Sequence, residues 1–174
     1  MKKSTLYFLF ILFSVHLFAQ EEPEKEAIKR HEIAFAIGLT HIPIAFKEEE
    51  VDKEVYVPTI CLDYFYHLEE KWKFGAVIDF ELGDYLIDFS REDLSRERAI
   101  ITIALAGYEI LPRWCILAGP GFEHEKNKDL FVFRLSSEYE FELGNHWALF
   151  PSFNYDFKEE FKTWALNIGV SKRL

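Results

Sequence analysis

From His31 onward the chain alternates apolar and polar residues with period two, in eight stretches: 31 to 44, 55 to 68, 72 to 88, 98 to 110, 114 to 125, 130 to 143, 147 to 158 and 161 to 174. Successive side chains of a strand point to opposite faces, so the alternation predicts eight two-faced β-strands; no stretch of useful length carries a helical period. Between 130 and 143, Phe131, Phe133, Leu135, Tyr139 and Phe141 share one face, and Val132, Arg134, Ser136, Glu138 and Glu140 share the other. Between 147 and 158, Trp147, Leu149, Pro151, Phe153, Tyr155 and Phe157 oppose Ala148, Phe150, Ser152, Asn154, Asp156 and Lys158.

A repeat predicts how the strands are joined. Tyr66-x-Leu68-x-x-x-Trp72, Tyr108-x-Ile110-x-x-x-Trp114 and Phe141-x-Leu143-x-x-x-Trp147 each place an aliphatic residue and a tryptophan on either side of three turn residues. Pairing these two residues gives three antiparallel hairpins of one register. The stretch 98 to 110 is out of step: Tyr108 and Ile110 are in phase with the turn, whereas Ile101, Ile103 and Leu105 are one residue out. A bulge at Ala106-Gly107 is expected to reconcile them.

Eight two-faced strands close either around their apolar face, as in soluble carriers, or around their polar face, as in membrane barrels. An eight-stranded interior is only just wide enough for side chains to fill. The apolar face here carries the four tryptophans and most of the Phe and Tyr, whereas the other offers Ala34, Ala36, Gly38, Gly75, Gly119, Gly121, Ala165, Gly169 and Ser171 among its charges. Bulk therefore puts the apolar face outside. The expected fold is all-β: an eight-stranded antiparallel up-and-down transmembrane β-barrel over residues 31–174, with a secreted soluble ligand-binding barrel as the alternative. Trp72, Trp114 and Trp147, with Tyr66, Tyr108 and Phe141, are expected to form an aromatic girdle at the rim of the tight turns, the periplasmic one, because amphipathic rings suit a membrane–water boundary.

The other end of the chain agrees with export. Lys2 and Lys3 precede the apolar run 5–18 and the small Ala19, the pattern of a secretory signal peptide over residues 1–19. The run is too short to span a bilayer as a helix, and the junction lacks a cysteine for lipid attachment. Residues 20–30 form a charged leader. Of 20 basic and 30 acidic residues only Lys2 and Lys3 fall within the signal, so the exported part carries a net charge of about −12 with His neutral. Such a field argues against nucleic acid as a partner.

The inward face carries the candidate chemistry. The register sets Arg134 opposite Asp156, Ser136 opposite Asn154 and Glu138 opposite Ser152, and Lys73, Asp79, Glu81 and Arg173 also point inward. Enclosed charges must pair to offset their desolvation, so a structural charge network is expected rather than an ion path. His124 and Ser137 share the outer face of adjacent strands but stand roughly 20 Å apart, too far for a triad. His41 and His67 are expected to be isolated, and the acidic run Glu48-Glu49-Glu50-Val51-Asp52 to be a solvated loop. Cys61 and Cys115 face inward on strands too far apart around the wall for the roughly 7 Å Cα separation a disulfide tolerates. No catalytic, cofactor or metal site is expected.

The signal ending in Ala19-Gln20, the amphipathic strands, the short turns at one rim and the closing Asn167-Ile168-Gly169-Val170-Ser171-Lys172-Arg173-Leu174 resemble small eight-stranded outer-membrane β-barrel proteins of Gram-negative bacteria, over residues 31–174. The resemblance implies residence in the outer membrane, contact with membrane lipid and lipopolysaccharide, and a structural or surface-interaction role, as a monomer. It also implies insertion by the barrel-assembly machinery, which reads the last strand, here marked by Gly169, Lys172 and Leu174. Many members end on an aromatic residue with another two positions earlier; this chain has Leu174 and Lys172 there. Some small outer-membrane barrels are lipid A acyl hydrolases or acyltransferases, so a lipid-modifying hydrolase is the alternative activity. Pairing of the last strand with the first is expected, because an open edge in hydrocarbon leaves backbone groups unsatisfied.

Overall fold

A computed structural model describes residues 29–43, 45–46, 54–87, 94–126 and 128–174. The expected signal segment, most of the charged leader and the acidic run 48–52 lie outside the described residues. Twelve strands follow in chain order: β1 (His31–Ile42), β2 (Ala45–Phe46), β3 (Val55–His67), β4 (Trp72–Glu81), β5 (Asp84–Ile87), β6 (Leu94–Glu97), β7 (Ile100–Leu111), β8 (Trp114–His124), β9 (Leu130–Tyr139), β10 (Phe141–Gly144), β11 (Trp147–Lys158) and β12 (Lys162–Arg173).

The barrel wall runs β1, β3, β4, β7, β8, β9 continued by β10, β11 and β12, each antiparallel to its neighbours. It closes between β12 and β1, in register from Glu32 opposite Arg173 to His41 opposite Trp164. The Leu174 N–H donates to the His31 carbonyl at 2.7 Å, so pairing runs to the final residue. Every wall strand has two wall neighbours, which leaves no open edge to hydrocarbon.

The pairs Arg134–Asp156, Ser136–Asn154 and Glu138–Ser152 stand in the expected register. Near two of the turns, however, the three-residue loop is a two-residue turn plus a bulge. Gly144 pairs Trp147 after a shift at Glu142–Gly144, and Leu111 pairs Trp114 after a shift at Glu109–Leu111. Asn145 and His146 both have positive φ, 52° and 63°, as a type I′ turn requires, and Gly144 takes φ 86° at the bulge. Turn plus bulge uses the same number of residues as a three-residue loop, so the register beyond it is unchanged.

Strand β7 corrects the sequence reading. No bulge occurs at Ala106-Gly107; pairing with β4 is continuous from Ile100 to Tyr108, and the irregularity lies at Glu109–Leu111. Ile101, Ile103 and Leu105 therefore point inward, while Ala104 and Ala106 face out. With Phe65, Val77, Leu117 and Val132 they build an apolar sector of the lumen. The expected strand 72–88 is also interrupted, at Leu82-Gly83, and β5 leaves the wall to form a three-stranded sheet with β2 and β6 at the end opposite the tight turns. The segments between the expected strands, 45–54 and 89–97, thus contain strands β2 and β6. Beneath that sheet Ile42, Val55, Val57, Ile87, Leu130 and Phe161 pack as an apolar plug.

The outer wall is apolar: Ile33, Phe35, Ile37 and Leu39 on β1 are 46–54% exposed, as are Leu166 and Ile168 on β12 at 50–56%. A continuous surface of this kind is incompatible with water and suited to lipid.

A candidate site in the barrel lumen

Three levels of charge fill the lumen between the tight-turn rim and the plug. At mid-height Arg134, on β9, is 2% exposed. Its Nε and Nη2 donate to Asp156 Oδ1 and Oδ2 at 2.6 and 2.7 Å, a two-pronged fork to the adjacent strand. Its Nη1 reaches Asp79 Oδ2 at 2.6 Å on β4, which two strands separate from β9 on one side. One guanidinium therefore spans the lumen, tying non-adjacent walls together.

Above it, Lys158 Nζ lies 2.5 Å from Glu123 and 3.5 Å from Glu81. Glu81 accepts from the Tyr85 hydroxyl at 2.7 Å. Arg96, on β6, meets Glu123 at 3.1 Å and donates to the Lys128 carbonyl at 2.5 Å. Strand β6 thus anchors the end sheet to the wall through buried charge. Below, Lys73 bonds Glu138 and lies 3.5 Å from Glu140. Arg173 bridges Glu140 at 2.7 Å and Glu32 at 3.2 Å, and Glu32 also holds His67 at 2.6 Å. A buried ion needs such partners because its desolvation costs several kcal/mol.

The residues expected in the lumen network are all brought together in these levels. Glu32, Arg96 and Glu123 join them, though nothing in the sequence singled them out. His67, expected to be isolated, is buried against Glu32; the signal for it was its phase with Cys61 and Asp63 on the inner face of β3. His41 is not isolated either: it lies 3.4 Å from Glu54, with ring centroids of Tyr56 and Trp164 each 4.7 Å away. Cys61 and Cys115 are buried free thiols.

Trp72, Trp114 and Trp147 project outward at the tight-turn rim, each 41–42% exposed. Trp72 packs on Tyr108 at 4.8 Å, Phe141 on Tyr139 at 4.8 Å, and Lys172 lies over Trp147 at 4.8 Å. Tyr66 accepts from Arg30 at 2.9 Å. Gly169 faces the lumen, where a Cβ would meet Phe150 at 2.5 Å, and Leu174 is exposed.

The outward His124 and Ser137 belong to different settings. Ser137 accepts from Trp114 Nε1 at 2.8 Å and pairs with Ile116, eight residues before His124 on β8, about 26 Å away along the strand. His124 instead has Thr102 Oγ1 at 3.2 Å from Nε2 and Asp129 Oδ1 at 3.5 Å from Nδ1. Among the described residues no group of three or more His, Cys, Asp or Glu is arranged to hold a metal ion.

No family model matches the chain, and no curated protein matches it. Solved structures do. Neisserial surface protein A aligns at a TM-score of 0.52 and 10% identity, over 86% of this chain and 100% of its own. The outer membrane protein OprG from Pseudomonas aeruginosa aligns at 0.53 and 13% identity, over 84% of this chain and 98% of its own. The chain has the fold of the small eight-stranded outer-membrane β-barrels.

Proposed function

We propose that this protein is an integral outer-membrane barrel with a packed, polar and non-conducting lumen, acting as a structural or surface-interaction protein rather than an enzyme. The carrying observation is Arg134, which bars the lumen between Asp156 and Asp79. The apolar plug above supports the same reading, since hydrated ions would have to cross Ile42, Val55 and Leu130. The free space at mid-lumen is about 20 Å³, room for roughly one water. The outer wall meets membrane lipid and lipopolysaccharide, the barrel-assembly machinery engages β12 during insertion, and the barrel works as a monomer. Planar-bilayer recording tests the closed lumen: purified protein gives no sustained conductance, and a steady open channel in wild type overturns it.

A lipid-modifying hydrolase is the second reading, favoured by the Thr102–His124–Asp129 constellation on the outer wall. The order is that of nucleophile, base and orienting acid, placed where an ester in the membrane could reach it. Acyl release from lipid vesicles by wild type, lost in Thr102→Val and His124→Ala, establishes it; activity absent from wild type removes it.

A further inference from the structure

Four neighbouring wall strands, β11, β12, β1 and β3, carry two unlike features on one outward face. At the tight-turn rim that face is cationic and aromatic. Lys172 on β12 stands opposite Trp147 on β11 and opposite Ile33 on β1, and its Nζ lies 4.8 Å from the centre of the Trp147 ring. On the other side of Ile33 stands Tyr64 of β3, whose hydroxyl lies 2.7 Å from His31 Nδ1, and Arg30 donates to the next outward hydroxyl, Tyr66, at 2.9 Å. Two strand spacings, about 10 Å, separate Lys172 from the Tyr64 side, with apolar Ile33 as the floor between. From this rim to mid-height the outward positions of the four strands include no Asp or Glu.

Deeper on the same strands lies an open apolar depression of about 950 Å³, lined by Ile37, Leu39, Pro58, Pro151, Leu166 and Ile168 among others. That is at the upper end of the roughly 300–1,000 Å³ of ligand pockets. Ile168 and Leu166 are four and six residues from Lys172, about 13 and 20 Å along the strand. With strands tilted roughly 40°, the depression lies about 10–15 Å below the rim, within one leaflet of a hydrocarbon core roughly 30 Å thick. A phosphate at the rim and an acyl chain in the depression thus match one glycerophospholipid of the periplasmic leaflet. A lipid of the outer leaflet would enter from the other rim, where these strands offer Lys162 but also His41 tied to Glu54.

We infer that the outward face of β11, β12, β1 and β3 is a binding site for one anionic phospholipid, its phosphate between Lys172 and Arg30 and an acyl chain in the depression. The site rests on the lipid-facing wall of the proposed function and adds selectivity to it: a basic residue beside an anionic headgroup is worth about fivefold in occupancy.

Native mass spectrometry tests it on the full mature protein, released from micelles doped with equal amounts of phosphatidylglycerol and phosphatidylethanolamine of the same acyl chains. Wild type retains one phosphatidylglycerol in clear excess over phosphatidylethanolamine, and Lys172→Gln lowers that ratio about fivefold. Should Lys172→Gln fail to fold, Arg30→Gln, outside the strands, serves with the same expected loss. Equal retention of the two lipids by wild type overturns the site, as does a preference unchanged in both variants. Lipid-free dimers overturn it in favour of a second copy on this face, and lipid A displacing phosphatidylglycerol from wild type overturns the periplasmic assignment. A chain that never folds into the micelles overturns the membrane reading itself, an outcome distinct from a folded barrel without lipid preference.

Discussion

Arg134 and Asp156 face each other across β9 and β11 through two hydrogen bonds of 2.6 and 2.7 Å, while the remaining guanidinium nitrogen holds Asp79 on the far wall. Arg134→Ala therefore abandons two buried carboxylates and is expected to destabilise by roughly 3–5 kcal/mol. Arg134→Ala with Asp156→Asn recovers only part, because Asp79 remains unpaired; adding Asp79→Asn recovers more. Urea unfolding in detergent reads the series, and a double variant as stable as wild type would show that Asp79 is not held by Arg134.

The outward and inward faces are separable by substitution. Phe153 is exposed mid-strand on the apolar wall, so Phe153→Arg sets a cation against lipid at a cost of roughly 2–4 kcal/mol. Neighbouring Ser152 faces the lumen and accepts from Asn167 Nδ2 at 3.3 Å; Ser152→Ala is expected to cost about 0.5–1.5 kcal/mol. The mobility difference between boiled and unboiled samples on gels reports the folded fraction of each.

The seam between first and last strands carries a rim clasp, Glu32 joined to Arg173 at 3.2 Å and to His67 at 2.6 Å. Glu32→Ala is expected to cost roughly 1–3 kcal/mol. Amide exchange should quicken at His67, Arg173 and Leu174, whose N–H groups close this rim. Exchange unchanged there would mean the clasp does not hold the seam.

Close backbone approach predicts a further sensitivity. A Cβ on Gly119 would stand 1.8 Å from the Ala104 carbonyl, which belongs to the wall itself and cannot turn aside. Gly119→Ala is expected to lose roughly 1–3 kcal/mol. Gly144 has open space around it, with no atom within 4 Å of where a Cβ would stand, and only its φ of 86° opposes a side chain. Gly144→Ala should lose at most about 1 kcal/mol. Urea midpoints of the two variants, measured side by side, check the contrast.

Much of this was legible because period two and the repeated turn spacing together fix register: the pairing of Arg134 with Asp156 follows from sequence whether or not a bulge shares the loop with the turn. Strand β7 was not legible, because both its faces are apolar. Large Ile101, Ile103 and Leu105 point in and small Ala104 and Ala106 point out, the reverse of the bulk rule that sorts the other strands. The link from Arg134 to Asp79 was equally hidden, since it crosses the lumen between non-neighbouring strands and no local spacing encodes it. Arg96 lay between two expected strands, outside the alternation that sorts inward from outward residues, and Glu32 became informative only once β12 closed on β1. The His124 partners Thr102 and Asp129 come from a neighbouring strand and a connection, so pairing within one hairpin could not reveal both.

The barrel's membrane placement, its enclosed charge network and its proposed role all depend on the apolar wall facing lipid. Cell fractionation followed by carbonate washing tests this most directly: the mature protein is expected in the outer-membrane fraction and to stay there through the wash. Recovery as a soluble periplasmic or secreted protein would contradict it.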